Sequence, residues 1–423
     1  MNDIVFDDAD FEEGGEFYND GQGWEAIGEY YKDDGNYDYD NQFSGVFNGN
    51  QYKIVNLKQN ITVNSTGKSH KGSVFFEGIG LNGIIKNLTI ENAQMKGGYA
   101  ILSSHNDGYI LNCKTTGSLL SAKGGGGAIA DYNSGLIAEC ENIADVSVLY
   151  PSENSTYTLL GGISGASPGE ISCCVNRGNI TIKNGSDAFA GGISGGEYTY
   201  YCVNEGKVES SNYSAGITAM AANFRGSGCY NTGKIISDKY AGGVLGGEME
   251  DTSTMDQCYN TGSVSGEVVG GLAAKRAGGA LAAVTATNSF FLNTTPNGFA
   301  GKEEYEGMTS FDISEIASKE TFKGFDFDNI WNITAQGPVL KDDIFEYYKK
   351  HDKIYDTRFG QRGELDDYGL KTQYYVDDKI DVTGAIFRSK SGNAVAIVKG
   401  NQYLIDGEIR SYSNTFDADP VYR

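Results

Sequence analysis

CYNTGKI, Cys229 to Ile235, and CYNTGSV, Cys258 to Val264, are two nearly identical stretches in one chain. Earlier copies read CVNEGKV from Cys202 and CVNRGNI from Cys174, and looser ones begin at Cys140 (CENIADV) and Cys113 (CKTTGSL). The leading cysteines are 27, 34, 28, 27 and 29 residues apart. A glycine block falls between consecutive copies: GGGGAIA at Gly124, GGISG at Gly161, GGISGG at Gly191, SAGIT at Ser214, GGVLGG at Gly242 and GGLAA at Gly270. Two motifs in fixed order at one period of this length mark a solenoid or another repeat array.

Each position of the repeat has a physical role. Cys113, Cys140, Cys174, Cys202, Cys229 and Cys258 alternate with the apolar sixth position (Leu119, Val146, Ile180, Val208, Ile235, Val264), as in short strands with one buried face. Stacked coil on coil, equivalent residues lie about 4.8 Å apart. Cysteines then stack on cysteines, and Asn176, Asn204, Asn231 and Asn260 form an amide ladder. Gly178, Gly206, Gly233 and Gly262 are expected at a corner with φ > 0. Ala144 stands at that place in its own copy. The glycine block supplies a second strand per coil and the remaining segment a third. The fold expected is all-β: a right-handed parallel β-helix of about eight coils, followed by a small C-terminal β-sandwich-like domain.

The 59 glycines and 28 tyrosines of the 423 residues fit exposed β-structure, and 5 prolines exclude a proline-rich linker. Net charge is −23, and the first 40 residues hold 14 acids against one lysine. Such a field repels nucleic acid and anionic membrane. No apolar run is long enough for a membrane-spanning helix. Six of seven cysteines share one repeat position, with Leu88 before them and Phe291 expected to continue the column, so they read as small buried apolar residues. Cys173 is expected at an edge.

The chain divides into an acidic N-terminal cap, 1–42; the β-helix, 43–300; its C-terminal cap, 301–341; and a β domain, 342–423. Ser310 to Thr321 reads as a short helix with Ser310 or Asp312 as its cap, and FDFDNIWNI from Phe325 as a strand. In the run DDGNYDYDN, Asp33, Asp34, Asp38 and Asp40 are candidate Ca²⁺ ligands, without the glycine and distal glutamate of a full calcium loop. The longest insertion between a Cys strand and its glycine strand holds Leu149 to Tyr157, a candidate contact loop.

These motifs resemble the GLUG-repeat β-helices of bacterial surface and secreted proteins over about residues 5–341. The match is carried by WEAIG at Trp24, FSGVFNGNQYKIVNL at Phe43, IKNLTI at Ile85, the repeated CxNxG and GGISG blocks, and IWNI with GPVL near the end. LKTQYYVDDKIDVTGAIF, Leu370 to Phe387, resembles the opening of a bacterial immunoglobulin-like domain, with Asp377 in place of the usual glycine. The resemblance implies an extracellular setting, within a longer surface protein.

Some GLUG proteins are immunoglobulin-A metallopeptidases with an H-E-x-x-H helix. His70, His105 and His351 are followed by Lys, Asn and Asp, so that motif is absent, and the three histidines read as surface residues. For a polysaccharide-active enzyme the candidates are Glu170, Glu197 and Glu248 to Glu250, with Arg177 and Arg225. The function expected is non-catalytic and cofactor-free: a rigid rod presenting Tyr150, Tyr157, Tyr198, Tyr200, Tyr201, Tyr230 and Tyr259 to a glycan or a host protein. A structural spacer and a polysaccharide-active enzyme are the alternatives.

Overall fold

The computed structural model describes residues 2–30, 41–61, 74–121, 124–148, 158–183, 187–196, 198–221, 224–248, 253–274, 284–301 and 304–351, with the backbone of short strands between 353 and 420. The chain winds into a parallel β-solenoid of about seven turns. One turn runs through Tyr198–Tyr200, then Val203–Asn204 and Val208–Ser210 on either side of a bend, then Tyr213–Ala215, then Thr218–Ala221. We call the sheets built from these positions the tyrosine, cysteine, glycine and narrow sheets. There are four sheets and not three because the chain turns again within each glycine block. Tyr240–Gly242 ends one strand and Leu245 begins the next. Rungs stack parallel and in register, Val203 on Tyr230 and Tyr230 on Tyr259.

The cysteine column runs through Leu88, the six repeat cysteines and then Ser289, because Tyr259 pairs with Phe290 and Asn260 with Phe291. Phe291 therefore continues the asparagine column and not the cysteine column. All the cysteines are free, and the six of the column are buried. The backbone N–H of Cys174 donates to Cys202 Sγ and that of Cys202 to Cys229 Sγ, each at 3.4 Å. Each thiol donates in turn to carbonyls, as Cys202 does to Tyr200 and Ile171. Burial pushes the Cys113, Cys140 and Cys174 thiols well up, so they stay protonated.

One position before this column the chain turns through the left-handed region at Asn87, Asn112, Glu139, Cys173, Tyr201, Gly228, Gln257 and Asn288. Non-glycine residues there cost about 1 kcal/mol each, a strain the stacked rungs on both sides hold in place. Cys173 sits at this corner, half-buried.

The asparagine ladder forms. Nδ2 of Asn142, Asn176, Asn204 and Asn231 each donates to Oδ1 one rung on, at 2.7–2.8 Å, and to a carbonyl two residues ahead. Gly178, Gly206, Gly233 and Gly262 do not take φ > 0. They are required by close approach: a Cβ on Gly206 would lie 1.9 Å from the Gly178 carbonyl oxygen. The ladder also explains the second motif, since a Cβ on Gly192 would strike Asn204 and one on Gly216 would strike Asn231. Asparagine in one turn and glycine in the turn before it form a single packing unit.

At the N-terminal end Trp24 stacks on Phe75 at 5.0 Å, with Phe6 and Phe17 against it. At the other end Met308–Phe311 pairs on Ser289–Leu292 as one more rung. The expected helix from Ser310 is only a 3₁₀ turn, Ile313–Glu315, capped by Asp312, whose carboxylate accepts from Ser314 N. The chain then turns back as a strap along the outside of the solenoid. It carries the antiparallel hairpin Trp331–Thr334 with Gly337–Leu340 and the helix Ile344–His351. That helix falls in the unit expected to begin at 342, yet its buried Ile344, Phe345 and Tyr348 belong to an aromatic core on the solenoid's flank. Farther on, strands 386–389, 394–399, 402–405, 408–411 and 418–420 form a five-stranded antiparallel sheet.

Candidate functional site

The strap decides which faces are open. Tyr198, Tyr200, Tyr201, Tyr230 and Tyr259, expected as an exposed binding row, are buried, with exposures from 8% (Tyr198) to 1% (Tyr259). Tyr230 and Tyr259 stack at 4.8 Å, and Trp331 packs on both at 5.9 Å. Tyr259 Oη donates to the Pro338 carbonyl. Tyr348 packs on Tyr200 and Tyr201 and donates to Glu170 Oε1. Burial pushes the Tyr230 hydroxyl up to about 12 and also raises the Tyr259 hydroxyl. These tyrosines are a second core, because an outward row of rings at one rung spacing is itself a large apolar stripe.

The other expected residues are scattered. Tyr150, Tyr157, Glu197 and the acids Asp33, Asp34, Asp38 and Asp40 lie outside the described residues, as do His70 and the side chains of Glu248 and His351. Glu170 is buried beneath Tyr348. Arg177 bridges Glu141 and Glu205 across neighbouring rungs, and Lys114 joins Glu141 at 2.8 Å. Among the described residues no three His, Cys, Asp or Glu side chains converge as a metal site.

A different constellation lies on the narrow sheet, on the rungs Phe76–Ile79, Ser103–Asn106 and Ala130–Asn133. Ala130 and Asn133 are fully buried. Asn133 belongs to a second inner amide ladder, accepting from Asn106 Nδ2 at 2.7 Å and donating to Ser167 Oγ at 2.9 Å. Between these two anchors Tyr132 is exposed and Asp131 is half-buried. Tyr132 pairs in register with His105. The two rings are 5.6 Å apart, and Tyr30 stacks on the other side of the imidazole at 3.5 Å and 13°. Tyr132 is 37% exposed.

The electrostatics of the patch are acceptor-rich. His105 is not the surface histidine expected: it is half-buried, its Nδ1 lies 3.1 Å from Ser104 Oγ, and burial lowers its pKa to about 3, so the ring is neutral. Asp107 accepts from Gln42 Nε2 at 3.1 Å and from Ser134 Oγ. Burial still raises its pKa, against the pull of those two bonds. Asp131 keeps an edge in solvent, but burial pushes its carboxyl up to about 7. Among the described residues no hydrogen bond or ion pair reaches that carboxylate. Its charge raises the pKa of Tyr99 beyond what burial alone does. Glu77 occupies the equivalent place two rungs away, buried. In later turns the Tyr132 column holds Ala166 and then Met220 and Gly247. The site is confined to the first turns. The signal in the sequence was ADYN at Ala130, whose tyrosine stands where Ala166, Met220 and Gly247 stand in later turns.

The fold defines the protein as a parallel β-solenoid with a self-covered flank. No protein family matches the chain, and no curated protein matches it. In solved structures it is similar to a putative immunoglobulin A1 protease from Bacteroides ovatus, at 16% identity and a TM-score of 0.40, over 80% of this chain and 84% of that one.

Proposed function

We propose that this chain is a non-catalytic display module of a bacterial surface or secreted protein, of the GLUG-repeat type and continued by an immunoglobulin-like domain. The solenoid holds the Tyr132 patch in a fixed orientation toward a glycan. The observation that carries this is the partly exposed Tyr132 ring, stacked with His105, which in turn stacks with Tyr30. A flat aromatic ring offers the apolar face of a sugar a surface, and carboxylates accept from its hydroxyls. Binding of the full chain to a glycan array, in calcium and in chelator, tests it beside Tyr132→Ala. Saturable binding that is lost in the variant supports the proposal. A blank array favours a spacer. Loss in chelator alone moves the contact to Asp33, Asp34, Asp38 and Asp40.

One observation favours an enzyme as the second reading. Glu77 and Asp131 flank Ser104 at equivalent places two rungs apart, about 9.5 Å along the stack. That lies at the upper end of the separation in inverting glycosidases. A carboxyl protonated near neutrality suits a general acid. Release of reducing ends from a bound glycan, abolished in Asp131→Asn, would select this reading.

A further inference from the structure

The N-terminal end of the solenoid is covered only in part. The cap pairs with Lys58–Asn60 through Gly23 and with Phe76 through Ile27. Ile4–Val5 pairs on one side with Ile54–Val55, and Val46–Asn48 on one side with Ile84–Lys86. Among the described residues no strand pairs with the other side of either. Val46–Asn48 leads directly into Lys53–Val55, the rung on which Ile4–Val5 lies, so the two edges adjoin at one corner. Ile84 N donates to the Gly45 carbonyl and Gly49 N to the Lys86 carbonyl, so the N–H and C=O of Val46 and Asn48 point away from the ladder. Phe6 N donates to the Val55 carbonyl, and the backbone of Val5 points away in the same manner. The side chains agree. Ile4 continues the inward column of Ile54 and Ile90, both buried in the core, yet Ile4, Val5 and Val46 are each more than half exposed. The apolar core therefore ends here on bare strand edges, which are templates for an added strand.

Charge selects what adds. Residues 1–30 hold ten acids and no lysine or arginine. A second copy would bring two such ends together and be repelled, whereas a basic segment is attracted. We infer that this end is a strand acceptor: an extended cationic segment of another polypeptide pairs along Val46–Asn48 and sets an apolar side chain beside Ile4. The strand period gives that segment its pattern, apolar residues alternating with lysine or arginine.

The test is calorimetric titration of the full chain with a peptide of alternating valine and lysine, with the same peptide N-methylated throughout, and with a peptide of alternating valine and glutamate. The expected result is saturable binding of the first peptide alone. Val46→Pro removes the outward N–H and leaves the bonds to Ile84–Lys86 in place. It should weaken binding about tenfold, as should Ile4→Asn at a side chain already in water. Melting curves check that both variants fold, and Tyr132→Ala should bind the peptide as wild type does. Equal binding of the N-methylated peptide would mean diffuse attraction of a polycation and would overturn the inference, as would wild-type affinity in either folded variant. Equal binding of the glutamate peptide would overturn the cationic partner. A dimer of the chain alone in sedimentation, dissolved by Val46→Pro, would put a second copy in its place. No binding of the lysine peptide at millimolar concentration would overturn the acceptor and leave the glycan reading standing.

Discussion

The two flanks of the solenoid carry the same kind of side chain and meet opposite fates. On the tyrosine flank, Tyr230, Tyr259 and Phe290 stand on successive rungs, with Tyr198 and Tyr200 on the neighbouring sheet, and the chain returns to cover these rings with Phe325, Trp331 and Tyr348. On the narrow flank, the partly exposed Tyr132 stacks with a neutral histidine, which in turn stacks with a buried tyrosine. The difference is length. A stripe several rungs long is too large an apolar surface to leave in water. A single ring braced by polar neighbours is not. Tyrosine enrichment in a repeat therefore marks packing where it recurs.

Removing the cover is the strongest way to break this contrast. Trp331→Ala empties a fully buried site that touches Tyr230, Tyr259 and Phe325. It should cost about 3–5 kcal/mol in denaturant unfolding, and the variant should bind a hydrophobic dye. A loss below about 1 kcal/mol would mean that the strap is not docked as described. On the open flank Asp131→Asn should act with the opposite sign. The folded pKa of Asp131 is raised to about 7 from the ordinary 3.8, so the folded state holds its proton more tightly than the unfolded one. Wild-type stability is thus greatest below pH 4 with respect to this group and falls as pH rises toward 7. The variant should match wild type at pH 4 and exceed it by about 2–4 kcal/mol at pH 8, which paired melts at the two pH values would read directly. Tyr348→Phe comes next. It takes a donor from the buried Glu170 and should cost about 1–3 kcal/mol. No loss would show that Glu170 is satisfied without the strap. Tyr132→Ala is the smallest for stability, within about 0.5 kcal/mol of wild type, while being the largest expected for ligand binding.

Most of the solenoid was legible in the repeat. The period gave the coil, the cysteine and asparagine positions gave two inner columns, and the in-register ladder between Asn142 and Asn260 follows from the copies alone. The end of the array misled, since Phe291 looks like the next apolar residue of the cysteine column and Ser289 occupies that place. The glycines misled in mechanism, because a sequence does not separate a positive φ from a backbone pressed against the next rung. The strap was not legible at all. Phe325, Trp331 and Tyr348 follow no period, and nothing local says which sheet they cover. For that reason the outward tyrosines read as a binding row. The narrow-sheet patch was hidden for a related cause: His105 and Asp131 are far apart in sequence, and only the turn-to-turn register places them on neighbouring rungs.

The ladders have a consequence for how the chain finds its place. Cysteine on cysteine and asparagine on asparagine are nearly invariant to a shift by one whole turn, so the repeats specify a spacing and leave the origin undefined. A nascent array with that translational symmetry has several frames of similar energy. What singles one out are the features that do not repeat: Trp24 on Phe75 at the first turn, and Trp331 and Tyr348 seated on particular tyrosines along the side. The strap spans several rungs at once, so it fits only when the turns beneath it have been counted correctly. It sets the zero of the ruler that the cysteines and asparagines divide.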